Sequence, residues 1–311
     1  MTPGALPYIS LLALFWGTTL VVSRFSVGQY EPLTYIGLRF AIASLCYVVI
    51  IAFSSKRHLP RERQVWRHAP VLGVFTTAVP MTLIVTSLQY QSSGVTSLLL
   101  TAGPAVTVVL AHFLLPDERL SPRKILGVSM AVGGSALLIL LGESGLPDVR
   151  KANPLGYAMV LLAISFSSYM TIYARKYMRD LDWFDVGSVR MWTAAVVMIP
   201  IAFLVTGFDL SRVNAQGYLA LLYAALIGTF GGMLLAFYNI KRFGATAAAM
   251  VSILIPIVAI VTGALLLGEK VTPGMLLAMA LIVGGVAILN GGRRRVRGAG
   301  RAGSGKESGE W

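Results

Sequence analysis

Residues Gly244 to Pro273 read GATAAAMVSILIPIVAIVTGALLLGEKVTP. A hydrophobic span carries a proline, Pro256, at its middle and closes in a short charged turn. Pro273 ends that turn with the fixed φ that suits the first residue of a new helix. Residues Ser92 to Pro122, SSGVTSLLLTAGPAVTVVLAHFLLPDERLSP, repeat this plan. Pro104 precedes Pro256 by 152 residues, and the run Glu118, Arg119, Leu120, Ser121, Pro122 precedes Glu269, Lys270, Val271, Thr272, Pro273 by 151. The chain reads as a duplication, with halves expected at 5–142 and 153–290.

Composition places these halves in a membrane. Of 311 residues 56% are hydrophobic and 13% charged, against roughly 25% charged in a soluble domain. A helix needs about 20 apolar residues to cross a bilayer core. Ten such runs are expected, at 5–27, 33–53, 69–89, 93–115, 123–142, 154–174, 185–206, 216–238, 245–267 and 273–290. A β-barrel would show short alternating strands instead of unbroken runs of Leu, Ala and Val. The fold class expected is all-α and integral to the membrane. The first run lacks a basic leader and a small-residue cleavage site, so it reads as a retained helix. The single cysteine, Cys46, excludes an internal disulfide and a cysteine-based metal cluster; neither a metal site nor a cofactor is expected.

The net charge of +13 is a topology signal. With the N-terminus inside, cytoplasmic loops and tail hold 19 of the 26 Lys and Arg residues, the opposite side holds four (Arg150, Lys151, Arg212, Lys270), and Arg24, Arg39 and Arg190 lie within spans. Excess positive charge marks the cytoplasmic side. Both termini are therefore expected inside, and nucleic acid is not expected as a partner. The Gly-rich basic segment 291–311 is expected to be a disordered cytoplasmic tail that touches anionic lipid through Arg293 to Arg297.

Hydroxyls and aromatic rings at mid-depth mark a candidate path. Trp16, Thr18 and Thr19 in the first span and Ser165, Phe166, Ser168 and Tyr169 in the sixth are expected to line a polar cavity. The competing reading is that Ser and Thr bond their own helix backbones. Pro104 and Pro256 cannot donate to the carbonyls of Leu100 and Ser252, so both helices are expected to bend there, with Thr101 and Ser252 at the cavity. Arg39 and Arg190, 151 residues apart, each sit about six residues inside a span, roughly 10 Å along the axis. Each can snorkel to water or face the path as a gate. Gly133, Gly134, Gly284 and Gly285 mark the fifth and tenth spans as packing helices.

Each half has five spans, so the second half must enter the membrane from the opposite side and lie inverted. Inverted repeats expose a midplane site to either side in turn. Charge follows suit: Arg123 and Lys124 after the first turn become Gly274 and Met275 after the second.

The two halves resemble the tandem repeats of the drug/metabolite transporter superfamily, specifically its EamA-type ten-helix members. The resemblance rests on FWGTTLVVSRF at Phe15 to Phe25, the Pro104 to Glu118 and Pro256 to Glu269 segments, the ERLSP and EKVTP turns and the glycines of spans five and ten, and it covers about 5–290. The proline-to-glutamate spacing is 13 in the second half and 14 in the first, where LLPDE holds an extra residue. The resemblance implies a transporter of the bacterial inner membrane, in a group that includes exporters of amino acids and other metabolites.

The substrate is less legible. No Asp or Glu lies at mid-span; Glu118 and Glu269 sit at helix ends, where carboxylates satisfy terminal amides. This disfavours proton-coupled multidrug export, which calls for an intramembrane acid. Sugar-phosphate or nucleotide-sugar exchange calls for clustered cations, and Arg39 and Arg190 differ in depth. A neutral or zwitterionic solute such as an aromatic or other neutral amino acid fits best. The remaining alternatives are multidrug or sugar-phosphate exchange, a membrane-embedded enzyme, for which no HExxH, GxSxG or paired intramembrane Asp is present, and an adaptor. The expected partners are the lipid bilayer and a small-molecule substrate, and the expected assembly is a monomer or weak homodimer.

Overall fold

The computed structural model describes residues 3–291 apart from Lys56, Asp117 and Arg150. The basic tail lies outside the described residues, save Gly291. Among those described, ten helices are long and apolar enough to cross a membrane. They are α1 (Leu6–Ser26), α2 (Pro32–Phe53), α3 (Arg63–Ser87), α4 (Ser93–Leu114) and α5 (Pro122–Leu141), then α6 (Pro154–Tyr177), α7 (Trp183–Thr206), α8 (Ala215–Phe243), α9 (Ala245–Leu267) and α10 (Pro273–Gly291). Two helices outrun the hydropathy reading by five residues or more. α3 starts at Arg63 instead of 69 and α8 runs to Phe243 instead of 238, because exposed basic ends (Arg63, Arg67; Lys241, Arg242) lower local hydropathy without breaking the helix.

Local chemistry sets the helix ends. Pro32, Pro122, Pro154 and Pro273 begin helices, where no intrahelical N–H is needed. In the two repeated turns the residue before the proline is the cap. Ser121 Oγ accepts from Lys124 N (3.3 Å) and Thr272 Oγ1 from Met275 N (3.1 Å). Gly142, Gly207 and Gly268 end α5, α7 and α9 in the left-handed region.

Three helices depart from regular α geometry. α3 widens into a π-helical segment at Gly73–Ala78 and α8 into another at Ala224–Gly231. Their starts lie 151 residues apart, as the two turns do. The first segment runs up to Pro80, whose missing N–H disrupts the regular ladder; the second contains Gly228 and Gly231. α4 is interrupted by a turn at Ala102, just before Pro104. α9 remains helical through Pro256. The Ser252 carbonyl, which Pro256 cannot serve, receives the Thr101 hydroxyl of α4 at 3.4 Å, one way an intramembrane proline is tolerated.

Contacts between the halves are reciprocal. α1 packs on α9 and α6 on α4; α1 meets α8 and α6 meets α3; α2 touches α8 and α7 touches α3; α2 pairs with α7 and α5 with α10. One core joins α2, α3, α7 and α8 around Tyr35, Phe40, Tyr47 and Met191. A second joins α4, α5, α6 and α10 around Leu98, Leu138, Val160 and Ile282. Lipid gives helices no hydrophobic reason to associate, so close packing through small residues carries much of the contact. At the α5–α10 seam a Cβ on Gly285 would stand 2.5 Å from the Gly127 carbonyl oxygen, and one on Gly134 would stand 2.9 Å from the Ala278 oxygen.

Candidate functional site

A cavity of about 200 Å³ lies among α1, α2, α3, α4, α8 and α9. From α1 it takes Trp16, Thr19, Leu20 and Ser23, positions i, i+3, i+4 and i+7 of one helix face. α8 comes close at glycines. A side chain at Gly228 would collide with Thr19, and one at Gly232 would meet Trp16 Nε1 at 2.5 Å. Met81, Ile84 and Val85 of α3 and Ile255 of α9 supply apolar wall. Ser97, Leu100 and Thr101 of α4 face Ser252 of α9.

Arg39 is the cavity's one charge among the described lining residues. It is 2% exposed. Its Nε donates to Thr229 Oγ1 at 2.6 Å and Nη1 to Ser23 Oγ at 3.4 Å. Thr229 sits in the π-helical segment of α8 and donates in turn to the Ala224 carbonyl at 2.9 Å; Ser23 Oγ lies 3.3 Å from the Tyr35 hydroxyl. Arg190 repeats the arrangement with the halves exchanged. Its Nε donates to Thr77 Oγ1 in the π-helical segment of α3, and Thr77 donates to the Leu72 carbonyl at 3.4 Å. Arg190 does not line the cavity.

Of the residues expected at a path, the cavity brings together Trp16, Thr19, Arg39, Thr101 and Ser252. Thr18 turns away and bonds the Tyr223 hydroxyl at 2.7 Å. α6 is not part of the wall. Ser165 and Tyr169 are exposed on its outer face, and Phe166 stacks on Phe75 of α3 with centroids 6.1 Å apart. Ser168 is buried against α4, accepting from Thr107 Oγ1 at 2.9 Å and donating to the Gly103 carbonyl at 3.3 Å. The sequence reading missed Ser23 and Ser97. Ser23 follows Trp16 at i+7, a spacing that would have found it.

The two turn glutamates have different partners. Glu269, 7% exposed, accepts from Ser93 N (2.9 Å), Ser93 Oγ (2.8 Å) and Gly94 N (3.3 Å). A carboxylate from the second half thus caps α4 of the first, where the helix dipole favours negative charge. Glu118 pairs with Arg175 (2.8 Å) and Lys124 (2.9 Å). The Arg175 hydrogen bond first, and that of Lys124 second, hold its carboxyl below the usual 4.5.

Ten membrane-spanning helices, six of them walling a cavity with one buried cation and no acid among the described lining residues, define a polytopic membrane protein. The profile of the EamA-like transporter family matches residues 4–140 and again 154–291, and the chain belongs to that family, within the drug/metabolite transporter superfamily. It is a membrane transporter. It is 27% identical over 287 residues to the probable amino-acid metabolite efflux pump of Salmonella typhimurium LT2, covering 89% of this chain and 92% of that one. It is 25% identical to the inner membrane transporter YedA of Escherichia coli K12 (91% and 89% covered), and 24% identical to a transporter of Archaeoglobus fulgidus (90% and 96% covered). A solved crystal structure superposes with a TM-score of 0.65 at 18% identity, covering 93% of this chain and 97% of that one; this likeness speaks to the fold.

Proposed function

We propose that the protein exports amino acids, aromatic or otherwise neutral, or similar small metabolites across a bacterial inner membrane, by alternating access of a midplane cavity between two inverted halves. The observation that carries this reading is the cavity itself, walled by helices of both halves and free of acidic residues among those described. The relative named as an amino-acid metabolite efflux pump supports the solute class, and the inner membrane relative the location.

The exchanged contacts support the mechanism. Five helices per half place the repeats in opposite senses, and the reciprocal Arg39–Thr229 and Arg190–Thr77 bonds fit a two-fold relation in the membrane plane. Both termini lie in the cytoplasm on this reading. Glu269 on the α4 N-terminus then seals the outer end, while Glu118, engaged with Arg175 and Lys124, lies at the inner one. Opening the outer end breaks the Glu269 bonds; the solute leaves as the inner end draws together.

Reconstitution into liposomes tests the function. Counterflow of radiolabelled amino acids across a panel of aromatic, branched and hydroxyl side chains is expected for at least one member. Absence of counterflow for every member sinks the amino-acid reading.

A further inference from the structure

We propose that the cavity holds its solute by a carboxylate on Arg39, so that the cargo class is small apolar monocarboxylates, zwitterionic amino acids included, and neither organic cations nor phosphates. This names the substrate class of the same cavity and rests on the transport reading above.

Arg39 is a permanent cation in the wall of the cavity, 2% exposed. Of the five N–H groups of a guanidinium, Nε and one on Nη1 have partners, and both partners are neutral hydroxyls. Among the described residues the ion pairs are Arg57–Asp182, Lys124–Glu118 and Arg175–Glu118, none of them at the cavity. A buried charge without a counter-charge costs several kcal/mol. The solute supplies the counter-charge. Thr229 fixes the guanidinium at Nε, which leaves Nη2 and the second Nη1 hydrogen as donors, and a planar fork suits the two oxygens of a carboxylate.

Three hydroxyls of the wall do the opposite work. Ser97 Oγ donates to the Gly94 carbonyl (2.7 Å), Thr101 Oγ1 to the Ser97 carbonyl (2.8 Å) and Thr19 Oγ1 to the Phe15 carbonyl (2.6 Å). In these three the hydroxyl hydrogen is directed at a backbone carbonyl, that of Thr101 shared between Ser97 and Ser252, so lone pairs remain for the cavity. They can accept from an ammonium group and cannot replace Arg39 for a carboxylate. Leu20, Met81, Ile84 and Ile255 leave an apolar wall for a side chain. A lone ammonium solute meets the field of Arg39 with no acid to offset it. A phosphate dianion meets one cation where two are wanted, since Arg190 is engaged at Thr77 outside the cavity. A volume of about 200 Å³ suits a free amino acid and not a nucleotide sugar.

The test needs no variant. Binding to the purified wild-type protein is measured by calorimetry for matched probes: leucine, phenylalanine, their carboxamides, 4-methylpentanoate, 3-methylbutylamine and phenyl phosphate. At least one carboxylate is expected to bind, with its amide and the amine weaker by about ten- to a hundredfold and phenyl phosphate weaker than the carboxylates. An amide, the amine or the phosphate binding as tightly as the acids overturns the proposal, as does failure of all the carboxylates to bind at millimolar concentration. Arg39→Gln is expected to abolish the difference between leucine and leucinamide, and Arg39→Lys to retain part of it. If Arg39→Gln does not fold, the wild-type series decides. The same probes in counterflow separate the two readings. Carboxylate-selective binding without flux sinks the transport reading and leaves the site; flux indifferent to the carboxylate sinks the site and leaves transport.

Discussion

Glu118 and Glu269 stand at matching places in the two turns, and the structure uses them differently. Glu269 is buried on three donors of α4, two of them backbone amides. Glu269→Gln removes the charge and offers an N–H₂ where donors already point, so it is expected to cost about 1–3 kcal/mol, read as a lower thermal midpoint in detergent. Glu118 is 24% exposed, and its partners Lys124 and Arg175 are 31% and 51% exposed. Glu118→Gln is expected to cost about 1 kcal/mol or less, since exposed ion pairs are worth little. Acid tests the pairing of Glu118. The folded-state carboxyl of Glu118 titrates below its ordinary value of 4.5, so its stabilisation is complete above that value and is lost as pH falls through the depressed one. A pH series of midpoints should show the wild type approaching Glu118→Gln only below about 4.5. Convergence already at pH 6 would contradict this.

At the scale of elements, the α5–α10 seam separates glycines that pack from glycines that do not. A Cβ on Gly285 would meet the Gly127 carbonyl and the Ala131 amide at 2.5 and 2.7 Å, backbone that cannot move aside, whereas a Cβ on Gly133 would meet nothing within 4 Å. Gly285→Ala is therefore expected to lower the thermal midpoint, by about 1–3 kcal/mol. Gly133→Ala should be neutral or slightly stabilising, because alanine is the better helix former. Equal effects would mean that the two helices do not meet at this seam. The sequence held the ten helices and marked these two as packing helices, because apolar length and a glycine doublet are local signals; that they pack on each other comes from the structure. Gly127, the glycine under Gly285, carried no doublet and was not picked out. The cavity was half legible for the same reason. Depth counted from a span's end placed Trp16 and Thr19, and the mid-span prolines placed Thr101 and Ser252, but the face a residue presents depends on how its helix is turned by its neighbours. Ser165 and Tyr169 share the depth of Trp16 and face away from the cavity. The π-helical segments of α3 and α8 left no mark beyond Pro80 and the glycines, and they carry Thr77 and Thr229 to the two arginines.

The whole molecule is tied together by contacts that survive exchange of the halves: α1 on α9 with α6 on α4, Arg39 to Thr229 with Arg190 to Thr77. The exchange is incomplete at the two turns, since Glu269 caps α4 while Glu118 pairs with Arg175 and Lys124. On the proposed reading, an inverted pair with one end sealed is one of two states that alternating access requires. The sealed end must part for solute to pass. α4 and α9 meet there closely enough to test this. A Cβ on Gly94 would stand 3.0 Å from Ile260 Cγ1 and 3.6 Å from Ile260 Cα, within the reach of a disulfide, whose Cβ atoms lie about 3.5–4.5 Å apart. In a Cys46→Ser background, Gly94→Cys with Ile260→Cys is expected to cross-link on mild oxidation, to bring counterflow to background and to regain it on reduction. Each single-cysteine protein should transport under both conditions. Full transport by the cross-linked protein would mean that α4 and α9 never separate at this end, and the rocking of one half against the other would have to be abandoned.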